Sequence, residues 1–257
     1  MDKFPGGFVI PSVADLKKLY AAENLDVSHL INGEQFTDYG EQVIAYFEFR
    51  ANVLTNHVEK MLMDMERAQA AYVKLSEARD YNCPLPRNNQ GKAKGAPRYL
   101  NCLINMIAEE TLGVKDIDFD PMEMTSFTHD RMPIRSLTRR VDGAIPGVIN
   151  PRIIWEIKEY YYTTTFGSKI SDGIYATQLD GHELNEVERT FGIHVQHIMF
   201  VDGHHTWWHS GRSYLCRLLD VLHQGLVDRV IFGAEVLTEW KPLLQEVKNQ
   251  NGGSQFR

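Results

Sequence analysis

The residue pattern predicts an α/β core preceded by a mostly helical N-terminal region, on three observations. Between Glu41 and Arg79 there is no Gly or Pro, and apolar residues recur at helical spacing. A segment rich in proline and glycine, 82–97, then interrupts the pattern. Beyond it, apolar strand-like runs alternate with amphipathic helical stretches in the order strand, strand, helix, strand, helix, strand.

Composition sets the frame for function. Of the 257 residues 43% are hydrophobic and 24% charged, as in a globular protein with a real core. The net charge of -7 argues against a passive nucleic-acid binder with a broad basic surface, but not against an enzyme that gathers its basic residues in one cleft. Cys83, Cys102 and Cys216 show no CxxC spacing, so neither a disulfide framework nor a zinc site is indicated. The N-terminus has no signal-peptide pattern, and no apolar run approaches the roughly 18 residues that cross a bilayer. A reducing, cytoplasmic setting without a membrane partner is the expectation.

In chain order, Ser12 with Asp15 three residues later marks a helix start and predicts a short helix over 13–23. Val43, Ala45, Tyr46, Phe49, Val53 and Leu54, continued by Val58, Met61, Leu62, Met65, Ala68 and Tyr72, predict a long helix or a helical pair over 37–79. Segment 82–97 carries Arg87, Lys92 and Lys94 and no acid, so it reads as a hinge closing on a polyanion or as a solvated linker. Residues 98–112 form a helix with Leu100, Leu103, Ile104, Ile107 and Leu112 on one face, stopped by Gly113. Glu109 and Glu110 stand in its last turns, where the helix dipole disfavours acids, so helix stability does not explain them. Residues 114–132 are acidic and irregular, and 133–141 are basic, with Arg135, Arg139 and Arg140.

Residues 141–158, VDGAIPGVINPRIIWEIK, hold the informative chemistry. Pro146, Gly147, Asn150 and Pro151 make a turn between two apolar runs. In the second run Glu156 and Lys158 share one strand face while Trp155 and Ile157 take the other. An acid and a lysine on an otherwise apolar strand are costly to bury without a task. If the two runs pair as a hairpin, Asp142 and Glu156 meet at one end of the sheet with Lys158 beside them. Two carboxylates that can approach a hard cation to about 2.1 Å are what Mg²⁺ requires, and a lysine beside them can orient water or stabilise charge on a phosphate.

A hydroxyl-rich loop, 163–169, comes next, and Ser171 is the candidate cap of a helix that starts near Asp172, with Gly181 as a candidate break and Gly192 as its stop. A strand over 193–201, an Asp202-Gly203 turn, an amphipathic helix over 212–226 and a last strand over 227–232 complete the core, with a frayed tail after Lys248.

Val141-Asp142 and Glu156-Ile157-Lys158 resemble the two halves of the signature of the PD-(D/E)XK nuclease superfamily, and the succession strand pair, helix, strand, helix resembles its fold. Val141 stands where that signature usually has proline, a replacement the family often tolerates. The resemblance spans roughly residues 98–232. It implies a restriction-endonuclease-like core, a central mixed sheet flanked by helices. The chain would then divide into a helical region, 1–97, that dimerises or clasps DNA, and a catalytic core, 98–257. It further implies a Mg²⁺-dependent endodeoxyribonuclease acting on double-stranded DNA, most like a sequence-specific type II restriction endonuclease that works as a homodimer. Carried over, Asp142 and Glu156 are metal ligands and Lys158 the catalytic lysine. A further glutamate on the helix before the sheet falls on Glu109, with Glu110 as the alternative. A glutamine on the helix after the sheet falls on Gln178. Lys92, Lys94, Arg135, Arg140 and Lys169 are candidates for backbone phosphates, and Thr164 and Ser168 for hydroxyl contacts to DNA.

Blander readings stand beside these. Asp142, Glu156 and Lys158 could form an exposed cross-strand ion pair worth under about 1 kcal/mol. A non-catalytic DNA-binding protein on the same fold is the first rival. The second is a metal hydrolase centred on His204, His205 and His209, although no acid or cysteine completes an established zinc spacing there.

Overall fold

A computed structural model describes residues 7–89, 93–162 and 168–251, without the side chains of residues 168, 169, 250 and 251. The chain forms two compact units divided between Lys60 and Met61. In the first, Ser12 and Asp15 close a capping box on α1 (Val13–Ala22), as its sequence predicts. A hairpin of β1 (Ile31–Asn32) and β2 (Gln35–Phe36) leads to α2 (Asp38–Val53), whose start Thr37 caps by accepting from the Gly40 N–H at 3.1 Å. The helical path continues through a π-helical turn, Leu54–Val58, and α3 (Glu59–Met61).

The second unit opens with α4 (Met65–Ala78), capped by Asp64, so the predicted stripe resolves into a helical pair. Within this unit α4 packs on α5 (Tyr99–Leu112) and contributes Ala68 to the main core, so the compact units divide at 60/61 and residue 97 lies inside the second. The segment between these helices is fastened: the Asn88 N–H donates to the Ala96 carbonyl at 2.8 Å and the Arg98 N–H to the Pro86 carbonyl at 2.9 Å.

The centre is a mixed five-stranded sheet in the order β3 (Asp118–Phe119), β6 (Gly143–Ile145), β7 (Ile153–Glu159), β8 (Gln196–Asp202), β9 (Arg229–Phe232). Strands β3, β6 and β7 pair antiparallel, and β7, β8 and β9 pair parallel. The parallel pairs need crossovers, which α6 (Ser168–Phe191) and α7 (Arg212–His223) supply. A separate hairpin, β4 (Ser126–His129) with β5 (Met132–Ser136), runs from the stretch expected to be irregular, 114–132, into the basic one, 133–141.

Alternation along β7 divides the core. Ile153, Trp155 and Ile157 face a cluster built with α5 and α8 (Val236–Asn251), while Ile154 faces a second cluster with Leu184 and Val187 of α6. Residue 143 must be glycine for this arrangement, since a Cβ there would lie 2.0 Å from the Trp155 ring. Two further expectations differ. Ser171 lies inside α6, which starts at Ser168, and Gly181 does not break that helix: a Cβ on Gly181 would lie 2.2 Å from the Leu226 carbonyl oxygen, so the glycine serves a close approach. Helix α8 carries Trp240, Leu243, Leu244 and Val247 into the main core, in a stretch the sequence reading leaves unassigned. Among the described residues no helix is long and apolar enough to cross a membrane.

Candidate functional site

The antiparallel register of β6 on β7 sets Gly143 opposite Trp155, and the Asp142 N–H donates to the Trp155 carbonyl at 3.0 Å. Asp142 is thereby held against the outer part of β7, where its Oδ2 accepts from the Ile157 N–H at 2.7 Å. Glu156 and Lys158 lie on the face of β7 that α6 covers, with Lys158 Nζ 2.8 Å from Glu156 Oε2. Glu156 is 1% exposed, which rules out the surface ion-pair reading. Helix α6 makes room for the lysine through Gly173, where a Cβ would lie 2.9 Å from Lys158 Cε.

Two residues that the sequence reading did not assign to the site complete it. Arg139 forks onto Glu156, with Nη1 and Nη2 each 2.9 Å from a carboxylate oxygen, and Nη1 also donates to Asp180 Oδ2 on α6. Asp180 is fully buried, and its Oδ1 has no hydrogen-bond partner. A signal for it exists in the sequence: Ile170, Ile174, Thr177, Leu184 and Val187 mark the buried stripe of α6, and Asp180 falls inside it.

The electrostatics follow from burial. Burial, and then the Glu156 charge, push the Asp142 carboxyl above its ordinary range, with Lys158 and the Ile157 N–H opposing. Burial also disfavours the Glu156 carboxylate, but Lys158 and Arg139 outweigh it and hold that group below its ordinary range. Lys158 is disfavoured by burial and raised on balance by Glu156 and Asp142. Burial, assisted by Glu156 and opposed by Arg139, lifts Asp180 to about 7.

The remaining sequence candidates separate. Glu109 accepts from the backbone N–H groups of Asn82 at 2.9 Å and Cys83 at 2.7 Å, and pairs with Arg79. It fastens the start of the segment that follows α4, at Asn82 and Cys83. The part of α5 that meets the end of β7 is its first turn, where the Asn101 N–H donates to Glu159 at 3.1 Å. Glu109 stands roughly 12 Å further along the helix axis. Its carboxylate is thus engaged by Asn82, Cys83 and Arg79, and Glu110 is taken by Lys241 of α8 at 2.7 Å. Burial lifts Glu159 to about 7, with the Asn101 N–H and Arg98 opposing.

Arg135 is bound to Glu183 at 2.9 Å and Glu186 at 3.0 Å, both on α6, rather than presented to solvent as a free cation. Arg140 is exposed, with Nη1 3.0 Å from Met122 Sδ, and Lys94 is exposed. Gln178 is half-buried on α6. Lys92 and Thr164 lie outside the described residues, as do the side chains of Ser168 and Lys169. His204, His205 and His209 gather on a π-helical turn, His205–Ser210, with His204 and His209 ring centroids 5.4 Å apart and those of His205 and His209 5.5 Å apart. Trp207 and Trp208 are buried beside them, the packed-tryptophan reading of that tract.

Residues 63–247, most of the chain and all of the site, match the family described as a domain of unknown function, DUF7687. The chain belongs to the DUF7687 family. Residues 2–57 match a second domain of unknown function, DUF7690, so the two matches meet where the two compact units divide. Comparison with curated proteins and with solved structures gives no match.

Whether the DUF7687 site suits a divalent cation can be judged from its donors. Among the described residues no group of three or more His, Cys, Asp or Glu side chains is arranged to hold a metal, which applies equally to the histidine trio and to Glu109 with Asp142 and Glu156. Mg²⁺ commonly takes only one or two carboxylates and completes its shell with water and substrate phosphate. Asp142 and Glu156 supply that set in hard oxygen donors, and the repulsion that raises Asp142 is the one a cation between them relieves. The residues fit, with Arg139 as a competitor for Glu156.

Proposed function

We propose that this chain is a Mg²⁺-dependent endodeoxyribonuclease of the PD-(D/E)XK kind, acting on double-stranded DNA as a homodimer in the manner of a type II restriction endonuclease. One observation carries the reading: Asp142, Glu156 and Lys158 come together on a β6–β7 hairpin whose second strand pairs in parallel with β8 across a helical crossover. Asp142 and Glu156 would hold the cation, which supplies Lewis-acid stabilisation of charge on a phosphate. Lys158, fixed between Glu156 and α6, offers its ammonium to the same phosphate or orients the attacking water. The acidic chain then relies on local cations near the site to receive DNA.

The test is incubation of the full chain with long unmethylated DNA and Mg²⁺. Discrete fragments are expected, with Ca²⁺ supporting binding but not cutting. Asp142→Ala and Lys158→Ala should each abolish cleavage while the far-UV circular dichroism is unchanged. Intact DNA with the natural chain, or full cleavage by either variant, overturns the reading. A second reading is favoured by the double engagement of Glu156 by Arg139 and Lys158: a DNA-binding protein on this fold that does not cut. It would hold DNA without Mg²⁺ and release it steeply as salt rises.

A further inference from the structure

Arg139 is the feature of the site that neither the signature nor the nuclease reading accounts for. Its guanidinium covers both oxygens of Glu156, so Glu156 has no uncommitted oxygen while that fork is in place. The second cation on Glu156, Lys158, is 13% exposed and packed against Gly173. Arg139 is different. Its side chain is 28% exposed, and it already touches another carboxylate, Asp180. Asp180 uses only Oδ2, and its Oδ1 is buried with no hydrogen-bond partner. A buried acceptor left empty costs about 1–3 kcal/mol. The Arg139 guanidinium lies beside it, with Nη1 already on Asp180 Oδ2 and Nη2 on Glu156. Arginine and a carboxylate can form a two-bonded fork, so moving Arg139 from Glu156 onto Asp180 would exchange one fork for another. The same move would fill Oδ1 and release both the Arg139 contacts on Glu156.

Resting on the metal-dependent reading above, we propose that Arg139 is a positioning residue that shields Glu156 until the cation arrives, and that Asp180 is the partner that receives it. In the closed arrangement Arg139 stands in for the missing positive charge between buried acids. In the open arrangement Glu156 keeps Lys158 on Oε2 and turns its released Oε1 to the cation, and the Arg139–Asp180 pair forms the wall of the site.

Mn²⁺ titration of the full chain, followed by loss of the free-ion electron paramagnetic resonance signal, tests this without any need for cleavage. Glu156→Gln should abolish binding. Arg139→Gln should tighten it by about tenfold, since a charged hydrogen-bonded competitor is removed. Arg139→Lys, which keeps a cation but cannot fork, should also bind more tightly than the natural chain and serves if the glutamine variant fails to fold. Asp180→Asn should weaken binding several-fold, because Arg139 then stays on Glu156. The deciding measurement is the double variant Arg139→Gln with Asp180→Asn. If Asp180 acts through Arg139, adding Asp180→Asn to Arg139→Gln changes nothing. Continued weakening in that background, or Arg139 variants that bind Mn²⁺ no better than the natural chain, overturns the proposal while the nuclease reading stands. A natural chain that binds no Mn²⁺, with Glu156→Gln indistinguishable from it and no DNA cut, removes both.

Discussion

Asp202 illustrates how single acids set the response of this molecule to pH. Burial lifts its carboxyl to about 7, although the Tyr161 hydroxyl and the backbone N–H groups of Gly203 and Met63 donate to it and oppose the rise. A carboxyl raised on folding holds its proton in the native state while the unfolded chain releases it. Between the unfolded value near 3.8 and the folded value near 7, the native state therefore binds more protons. Stability contributed by this residue falls as pH rises through that window, by up to roughly 1.4 kcal/mol per pH unit, and is level outside it. Asp202→Asn removes the titration and can keep the contacts: its carbonyl accepts from Met63 and Gly203, and the Tyr161 hydroxyl turns to accept from the amide. Urea melts at intervals from pH 4 to 8 should show a shallower decline for the variant than for the natural chain. Parallel curves would mean that Asp202 does not hold its proton in the folded state.

Two glycines of α6 look alike in sequence and perform different tasks in the helix. Gly181 lies against the Leu226 backbone, so Gly181→Ala forces apart α6 and the turn that follows α7, whereas Gly173 lies against the flexible end of Lys158. Helix propensity alone favours alanine by about 1 kcal/mol at either position. Overpacking reverses that preference at Gly181, and Gly181→Ala should lower the free energy of unfolding by about 1–3 kcal/mol in a denaturant melt. At Gly173 the lysine can give way, so Gly173→Ala should leave stability nearly unchanged and, on the proposed nuclease reading, lower the DNA cleavage rate by displacing Lys158. Equal stability losses at both sites would contradict this division. Sequence reading cannot separate a glycine that breaks a helix from one that admits a neighbouring backbone, because the neighbour is contributed by a distant segment. The same limit hides the partner of Arg139 and the task of Asp180, whose burial alone is legible from the α6 stripe, while the Glu156–Lys158 face is visible because strand alternation is local. Helix α8 was legible in principle, since Val236, Trp240, Leu243, Leu244 and Val247 follow helical spacing, but Pro242 interrupts the pattern.

At the scale of the molecule, a proline- and glycine-rich composition and the division into compact units fall in different places. The proline- and glycine-rich segment 82–97 has the chemistry of a linker, yet Glu109 accepts from the Asn82 and Cys83 N–H groups and a backbone bridge joins Arg87 to Pro97. The division between units falls where the sequence has neither glycine nor proline, in a continuous helical path at Lys60 and Met61. What defines the unit is the closure of its core. The main hydrophobic cluster begins at Met63 and ends at Val247, the same span that matches DUF7687, and every strand of the five-stranded sheet lies within it. A chain starting at Met61 should therefore fold without the first unit. It should show one cooperative thermal transition, and it should bind Mn²⁺ with the affinity of the full chain if Asp142 and Glu156 hold the cation. Gel filtration of the same fragment addresses the proposed homodimer: elution as a monomer where the full chain elutes as a dimer would assign the pairing surface to residues 1–60. A fragment that shows no cooperative melt would mean that the core spanning Met63 to Val247 does not close on its own.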